Sequence, residues 1–205
     1  MTIAVTGATG FLGTALVQRL LEVEDGQQIR ILARDPSKAR RLFGTNVEII
    51  AGDITDQAQV GRTLHNVQVV YHLAGQLYHP IYPAHDYIRT HVEGTHTLLT
   101  ACQKAPDLQR LLYCSSTGVF GVTGRQPATE EAEYAPTNPY EAAKVACELL
   151  VAQAYHERGL PVSILRPGLV YGPGDLHLLG LFQAIQKRSL SCDRWRESLS
   201  TSHLY

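Results

Sequence analysis

Short apolar runs alternate along the chain with longer stretches in which apolar residues recur every three or four positions. Ile3-Ala4-Val5 is the first run, and Phe11 to Val23 follows it with helical spacing. Gln28 to Ala33, Val47 to Ile50, Gln68 to Leu73, Arg110 to Cys114 and Val162 to Leu165 are further runs of strand length. Ile88 to Lys104 and Tyr140 to Arg158 carry helical periodicity, the second closed by Gly159 and Pro161. Pro36 suits the first position of another helix, where its missing N–H would be unpaired anyway. Continuously apolar strands between amphipathic helices imply strands covered on both faces. The expected fold is therefore α/β: a doubly wound, parallel, Rossmann-like sheet with helices on both sides. Ligands of such sheets gather at the carboxyl ends of the strands.

Composition narrows the function classes. With 205 residues, 44% of them hydrophobic, the chain can bury one sizeable core. Lys and Arg number 18 against 19 Asp and Glu, a net charge of −1. That balance gives no electrostatic reason to expect a nucleic acid or an anionic membrane as partner. Cys102, Cys114, Cys147 and Cys192 form no C-x-x-C pair, and no His or Cys spacing matches a zinc site, so no metal is expected. Such thiols suit a reducing compartment. No leader-like segment precedes the first strand and no apolar run approaches membrane-spanning length, so the expected location is the cytoplasm.

The first strand runs into Thr6-Gly7-Ala8-Thr9-Gly10-Phe11-Leu12-Gly13 and then into a helix. In that context Gly7 permits a tight turn, Gly10 lets backbone amides approach a pyrophosphate, and Gly13 lets helix and strand pack closely. The helix start presents unpaired N–H groups to the phosphates. The second strand ends Leu32-Ala33-Arg34-Asp35-Pro36. Ala33 offers no carboxylate to an adenosine ribose, whereas Arg34 offers a guanidinium for a 2′-phosphate, which favours NADP, with NAD as the alternative should Asp35 turn inward. Asp53-Ile54 after the third strand suits the adenine amino group, and Leu73-Ala74-Gly75 after the fourth is small enough for the cofactor to pass.

Tyr140 and Lys144 stand four residues apart on one predicted helix and share a face. An ammonium beside a phenol lowers the phenol's pKa from its usual value of about 10 and makes it a usable acid or base. Lys144 also suits the nicotinamide ribose. The fifth strand ends Cys114-Ser115-Ser116-Thr117-Gly118. Ser116 is the candidate to hold a substrate oxygen in line with Tyr140, with Ser115 and Thr117 as turn-capping neighbours.

As a set, these pieces resemble the extended short-chain dehydrogenase/reductase superfamily, the NAD-dependent epimerase/dehydratase family. The matches are T-G-A-T-G-F-L-G at 6–13, G-D-I-T at 52–55, H-L-A-G at 72–75, E-G-T at 93–95, S-S-T-G-V-F-G at 115–121, Y-E-A-A-K at 140–144 and R-P-G-L-V-Y-G-P-G-D at 166–175, in family order. The resemblance implies Ser116, Tyr140 and Lys144 as a catalytic triad acting on a hydroxyl- or keto-bearing carbon of a small-molecule substrate. It places Pro167 and Gly168 near the nicotinamide and makes 122–137 and 171–180 substrate-facing loops. The Arg34-Asp35-Pro36 ending is similar to the NADPH-using flavonol-reductase-like branch. Two departures stand out: His91 where the family usually has Asn, and Phe120 where Tyr is common. The resemblance also implies a homodimer built on the helices at 88–104 and 140–158.

The expected division is a dinucleotide-binding domain over 1–175 and a remnant of a substrate lobe over 176–205. After Arg188 the sequence turns Ser/Arg-rich and aperiodic where the resemblance calls for an ordered lobe, so a truncated or out-of-frame end is expected. Cofactor affinity should then survive better than turnover. Thr117 and Gly118 beside Ser116 are neutral, which argues against a 4,6-dehydratase. Epimerase and reductase stay open, as does a non-catalytic dinucleotide-sensing protein or an inactive truncated family member.

Overall fold

A computed structural model describes residues 1–23, 26–124 and 127–187. The chain divides into two compact units, Met1–Gly168 and Leu169–Tyr205. The aperiodic tail lies outside the described residues.

The first unit carries one sheet of β1 (Thr2–Thr6), β2 (Gln28–Ala33), β3 (Glu48–Ala51), β4 (Val69–His72), β5 (Arg110–Cys114) and β6 (Val162–Leu165). Its order is β3-β2-β1-β4-β5-β6, with every pairing parallel. The order reverses between β1 and β4, and Thr6 pairs with His72 at the carboxyl side of that switch. A crevice at this point is where doubly wound sheets bind nucleotides. The strands read as unbroken apolar runs because both faces are covered. Ile3, Val5, Ile29, Ile31 and Ala33 pack on one side with Val17 and Phe43. Ala4, Leu32, Val70 and Leu111 pack on the other with Val60, Leu98, Cys147 and Val151. Successive residues of a strand thus feed opposite cores.

The helices are α1 (Phe11–Glu22), α2 (Pro36–Phe43), α3 (Gln57–Thr63), α4 (Ala84–Tyr87), α5 (Gly94–Cys102) and α6 (Pro139–Arg158). Asp35 caps α2 by accepting from the Lys38 N–H at 2.9 Å, with Pro36 opening the helix. Asn138 caps α6 by accepting from Glu141 at 3.0 Å, and Gly159 ends that helix in the left-handed conformation.

Three details go beyond the sequence pattern. Helix α3 fills the β3–β4 connection and is capped by Asp56. The helix expected over 88–104 begins at Ala84 and contains a π-helical turn, Ile88–Glu93, whose hydrogen bonds span five residues instead of four. A 3₁₀ turn at Thr117–Phe120 follows β5. In the second unit α7 (Leu179–Gln186) is the one helix among the described residues.

Candidate active site

The glycine turn is built by exclusion. Gly7 has φ +72°, and a Cβ there would meet the backbone of Leu73 and Ala74 at 2.6 Å. A Cβ on Gly13 would overlap the Gly7 carbonyl and lie 2.7 Å from Ala8 Cα. Gly10 donates to the Gly7 carbonyl at 3.0 Å and stands at the start of α1. That helix start differs from those of α2, α3 and α6 in that no described side chain caps it. Its N–H groups, with Thr9, Phe11 and Leu12 around them, are left for an anion. This cradle fits the pyrophosphate of a dinucleotide.

At the adenosine end Arg34 is exposed, and the Asp35 carboxylate is spent on the α2 cap. Asp53 accepts from the Thr55 N–H at 3.0 Å and from its hydroxyl at 2.8 Å. Burial pushes its pKa up, but Thr55 and the charges of Arg34 and Arg89 outweigh it, and the net shift is down. Ile54 is different: its side chain is buried, and a Cβ on Gly94 would meet Ile54 Cγ2 at 2.7 Å. Ile54 thus packs against α5 through its side chain.

The end of β4 is held by a buried hydrogen-bond chain. The Ala74 N–H donates to Thr6 Oγ1 (3.3 Å), and Thr6 Oγ1 lies 2.7 Å from His72 Nδ1. His72 Nε2 lies 3.1 Å from Thr95 Oγ1, whose hydroxyl donates to Cys147 Sγ at 3.5 Å. Only a neutral His72 with its proton on Nε2 satisfies this chain from end to end. Gly75 is small for a reason the sequence did not reveal: a Cβ there would lie 2.6 Å from His91 Cε1. His91, 2% exposed, sits on the π turn with its Nε2 against the Gln76 backbone and its ring edge-on to Tyr140, centroids 5.6 Å apart.

Ser116, Tyr140 and Lys144 converge beyond β5. Ser116 itself caps the 3₁₀ turn, accepting from the Gly118 N–H at 3.1 Å, a task the sequence assigned to its neighbours. Lys144, 6% exposed, donates to the Cys114 carbonyl at 2.7 Å, and its Nζ lies 6.0 Å from the centre of the Tyr140 ring. The expected depression of the phenol by the ammonium is not what this arrangement produces. Burial raises the Tyr140 pKa above its usual value, and a hydrogen bond from Ser116 only partly offsets it. The ammonium is turned to a carbonyl and is itself shifted down by burial. Pro167 accepts from the Thr117 N–H at 3.0 Å, and a Cβ on Gly168 would lie 3.7 Å from Thr117 Oγ1, so both flank the Ser116 turn.

One group near the site was missed from sequence. Glu148 is fully buried one helical turn beyond Lys144, paired with Arg166. The signal was present: 140, 144 and 148 recur every four residues on one face.

A glycine cradle at the switch point, a Tyr–Lys pair and a strand-end serine now stand together in one doubly wound sheet. The sequence model of the NAD dependent epimerase/dehydratase family matches residues 3–195. The chain belongs to this family. It is 30% identical, over 84% of its length, to a trifunctional UDP-glucose 4,6-dehydratase/UDP-4-keto-6-deoxy-D-glucose 3,5-epimerase/UDP-4-keto-L-rhamnose-reductase of Arabidopsis thaliana, of which it spans 28%. It is 27% identical, over 84% of its length, to dihydroflavonol 4-reductase of Callistephus chinensis, of which it spans 52%. Among solved structures, UDP-glucuronic acid 4-epimerase of Bacillus cereus in complex with NAD is similar, with a TM-score of 0.81 and 25% identity, covering 92% of this chain and 63% of that one. No helix among the described residues is long and apolar enough to cross a membrane.

Proposed function

We propose that the protein transfers hydride between a nicotinamide dinucleotide and a carbon bearing a hydroxyl or keto group, and that carbonyl reduction with NADPH is the favoured direction. The observation that carries this is the meeting of Ser116, Tyr140 and Lys144 at the carboxyl end of β5. Gly7, Gly10 and Gly13 would hold the pyrophosphate, with Thr9, Phe11 and Leu12 beside them. Arg34 would meet the 2′-phosphate, and Asp53 with the Ile54 backbone the adenine. Leu73, Ala74 and Gly75 would border the cofactor, Lys144 the nicotinamide ribose, and Pro167 and Gly168 the nicotinamide itself. The dihydronicotinamide held there would supply the hydride. Ser116 orients the substrate oxygen and Tyr140 delivers the proton to it. A phenol whose pKa burial has raised suits the acid in reduction better than the base in oxidation. Arg34, free of its Asp35 neighbour, supports NADP over NAD.

The relatives include both nucleotide-sugar enzymes and a flavonol reductase, so the substrate panel should hold UDP-sugars and dihydroflavonols. Turnover with NADPH is expected for the wild type, with a loss of about 10²–10⁴-fold in Tyr140→Phe. Activity that survives that substitution overturns the mechanism. Tight NADP⁺ binding with no turnover on any panel member favours the dinucleotide-sensing reading instead. Leu149 and Tyr155 are exposed apolar residues on α6, and a groove between α5 and α6 is lined by Leu99, Leu150 and Ala154 together with His96, Gln153 and Arg158; the exposed apolar side chains support a homodimer through α5 and α6. Free thiols at Cys102, Cys114 and Cys147 support a reducing compartment such as the cytoplasm.

A further inference from the structure

Glu148 poses a physical question. Its carboxylate is 0% exposed, and taking a charge out of water costs several kcal/mol unless partners restore the lost hydration. Here the partners come from two parts of the first unit. Arg166, directly before Pro167, reaches Glu148 with Nε at 3.0 and 3.1 Å and with Nη2 at 2.7 Å. The Tyr134 hydroxyl donates to Glu148 Oε2 at 2.8 Å. Arg166 Nη1 donates to the Glu130 carbonyl at 3.0 Å, and its guanidinium lies 4.9 Å from the centre of the Phe120 ring. The carboxylate on the Tyr140–Lys144 face of α6 therefore ties down the segment at 130–137 and the end of β6 together.

That segment is seated on the turn bearing Ser116. The Ala135 N–H donates to the Val119 carbonyl at 3.0 Å, and Gly121, at φ +62°, has no room for a Cβ against the Ala135 carbonyl. Its far end is tied to α6 again, where Thr137 donates to Glu141 Oε2 through its N–H (2.7 Å) and its hydroxyl (2.8 Å). A buried ion pair adds little net stability compared with an apolar pair of the same shape, but its directional bonds fix geometry.

We propose that Glu148 and Arg166 are positioning residues that hold Tyr134, and with it residues 130–137, against the Ser116–Phe120 turn, so that this segment forms a fixed wall beside the reacting oxygen. The clamp stands on geometry alone; its effect on substrate rests on the hydride-transfer reading above. Tyr134 acts through its hydroxyl and contributes to substrate fit, and neither it nor the ion pair takes part in proton transfer.

Tyr134→Phe keeps the ring and removes the hydroxyl's two hydrogen bonds, the one it donates to Glu148 and the longer one it accepts from Arg166 Nη2 (3.4 Å). Glu148→Gln/Arg166→Met removes both charges at once, so no unpaired ion is left to unfold the chain. Amide hydrogen exchange of the full chain with NADP⁺ is the primary readout. In both variants exchange at 130–137 should rise about tenfold, while exchange in β1 and α1 and the Kd for NADP⁺ stay within about twofold of wild type. Unchanged exchange at 130–137 overturns the clamp. With UDP-glucose and a dihydroflavonol as probe substrates, Tyr134→Phe should raise KM about tenfold, leave kcat within about threefold and leave the pH profile in place. A fall in kcat at constant KM, or a shifted pH profile, overturns the positioning role. If the wild type turns over no substrate at all, the hydride-transfer reading fails by itself, and exchange still decides the clamp.

Discussion

Two imidazoles deep in the first unit set how this fold should respond to acid. Burial lowers the His72 pKa to about 3, aided by the charges of Lys144 and His91. Burial lowers the His91 pKa to about 4, aided by Lys144 and opposed by the Gln76 backbone. In the unfolded chain both titrate near 6.5. Below pH 6.5 the unfolded chain therefore binds protons that the fold refuses. The stability contributed by each neutral imidazole is complete above pH 6.5 and is lost as the pH falls toward the folded value. At pH 5.0 each histidine accounts for about 2 kcal/mol of loss, about 4 kcal/mol for the pair, out of a typical total of roughly 5–15 kcal/mol. Urea unfolding followed by far-ultraviolet circular dichroism at pH 7.5 and 5.0 measures this. His91→Asn and His72→Asn will each have their own baseline cost, so the quantity compared is the loss between the two pH values. Each variant should lose about 2 kcal/mol less than wild type. The lowered carboxylates, Asp53 and Glu148, shift stability chiefly below this window and cancel in the comparison. A wild type that loses no more than the two variants would refute the reasoning, because it would mean that these imidazoles accept protons in the fold without penalty.

Other outcomes follow from single contacts. Gly13→Ala places a methyl group on the Gly7 carbonyl, so it should cost about 1–3 kcal/mol in thermal or urea unfolding and abolish NADP⁺ binding in isothermal titration. Arg34→Ser should weaken NADP⁺ about 10–100-fold while moving NAD⁺ little; equal loss for both would show that Arg34 does not read the 2′-phosphate. Tyr155→Glu adds a charge to an exposed apolar site on α6 and should convert a dimer to monomer in sedimentation velocity, with secondary structure unchanged; sedimentation identical to wild type would remove α6 from the interface.

Much of the fold was legible because parallel strands buried on both faces leave a strong linear trace. The runs at Arg110–Cys114 and Val162–Leu165 match β5 and β6 residue for residue. Pro36 and Gly159 mark helix boundaries through their own backbone preferences. Helix α3 left a weaker trace because its seven residues complete barely two turns. The π turn left none, since its six residues are too few to show an apolar period of their own. In the candidate site, glycine spacing and the Tyr–Lys interval were readable because both are local. Tyr140's pKa was misjudged for the opposite reason. Sequence shows that an ammonium is near, but not that it points at the Cys114 carbonyl or how deeply the phenol is buried.

The sequence by itself determined the six strands and the longer helices between them, the glycine turn, the family and the candidate side chains for the chemistry. Each of these rests on residue type or on spacing within one element. Only the tertiary structure decided what surrounds those side chains. It spent Asp35 on a helix cap, put His91 over Gly75, raised the Tyr140 pKa by burial and drew Arg166 and Tyr134 onto the buried Glu148. Those outcomes depend on desolvation and on contacts between residues far apart in the chain, and neither quantity is written in any local stretch of sequence.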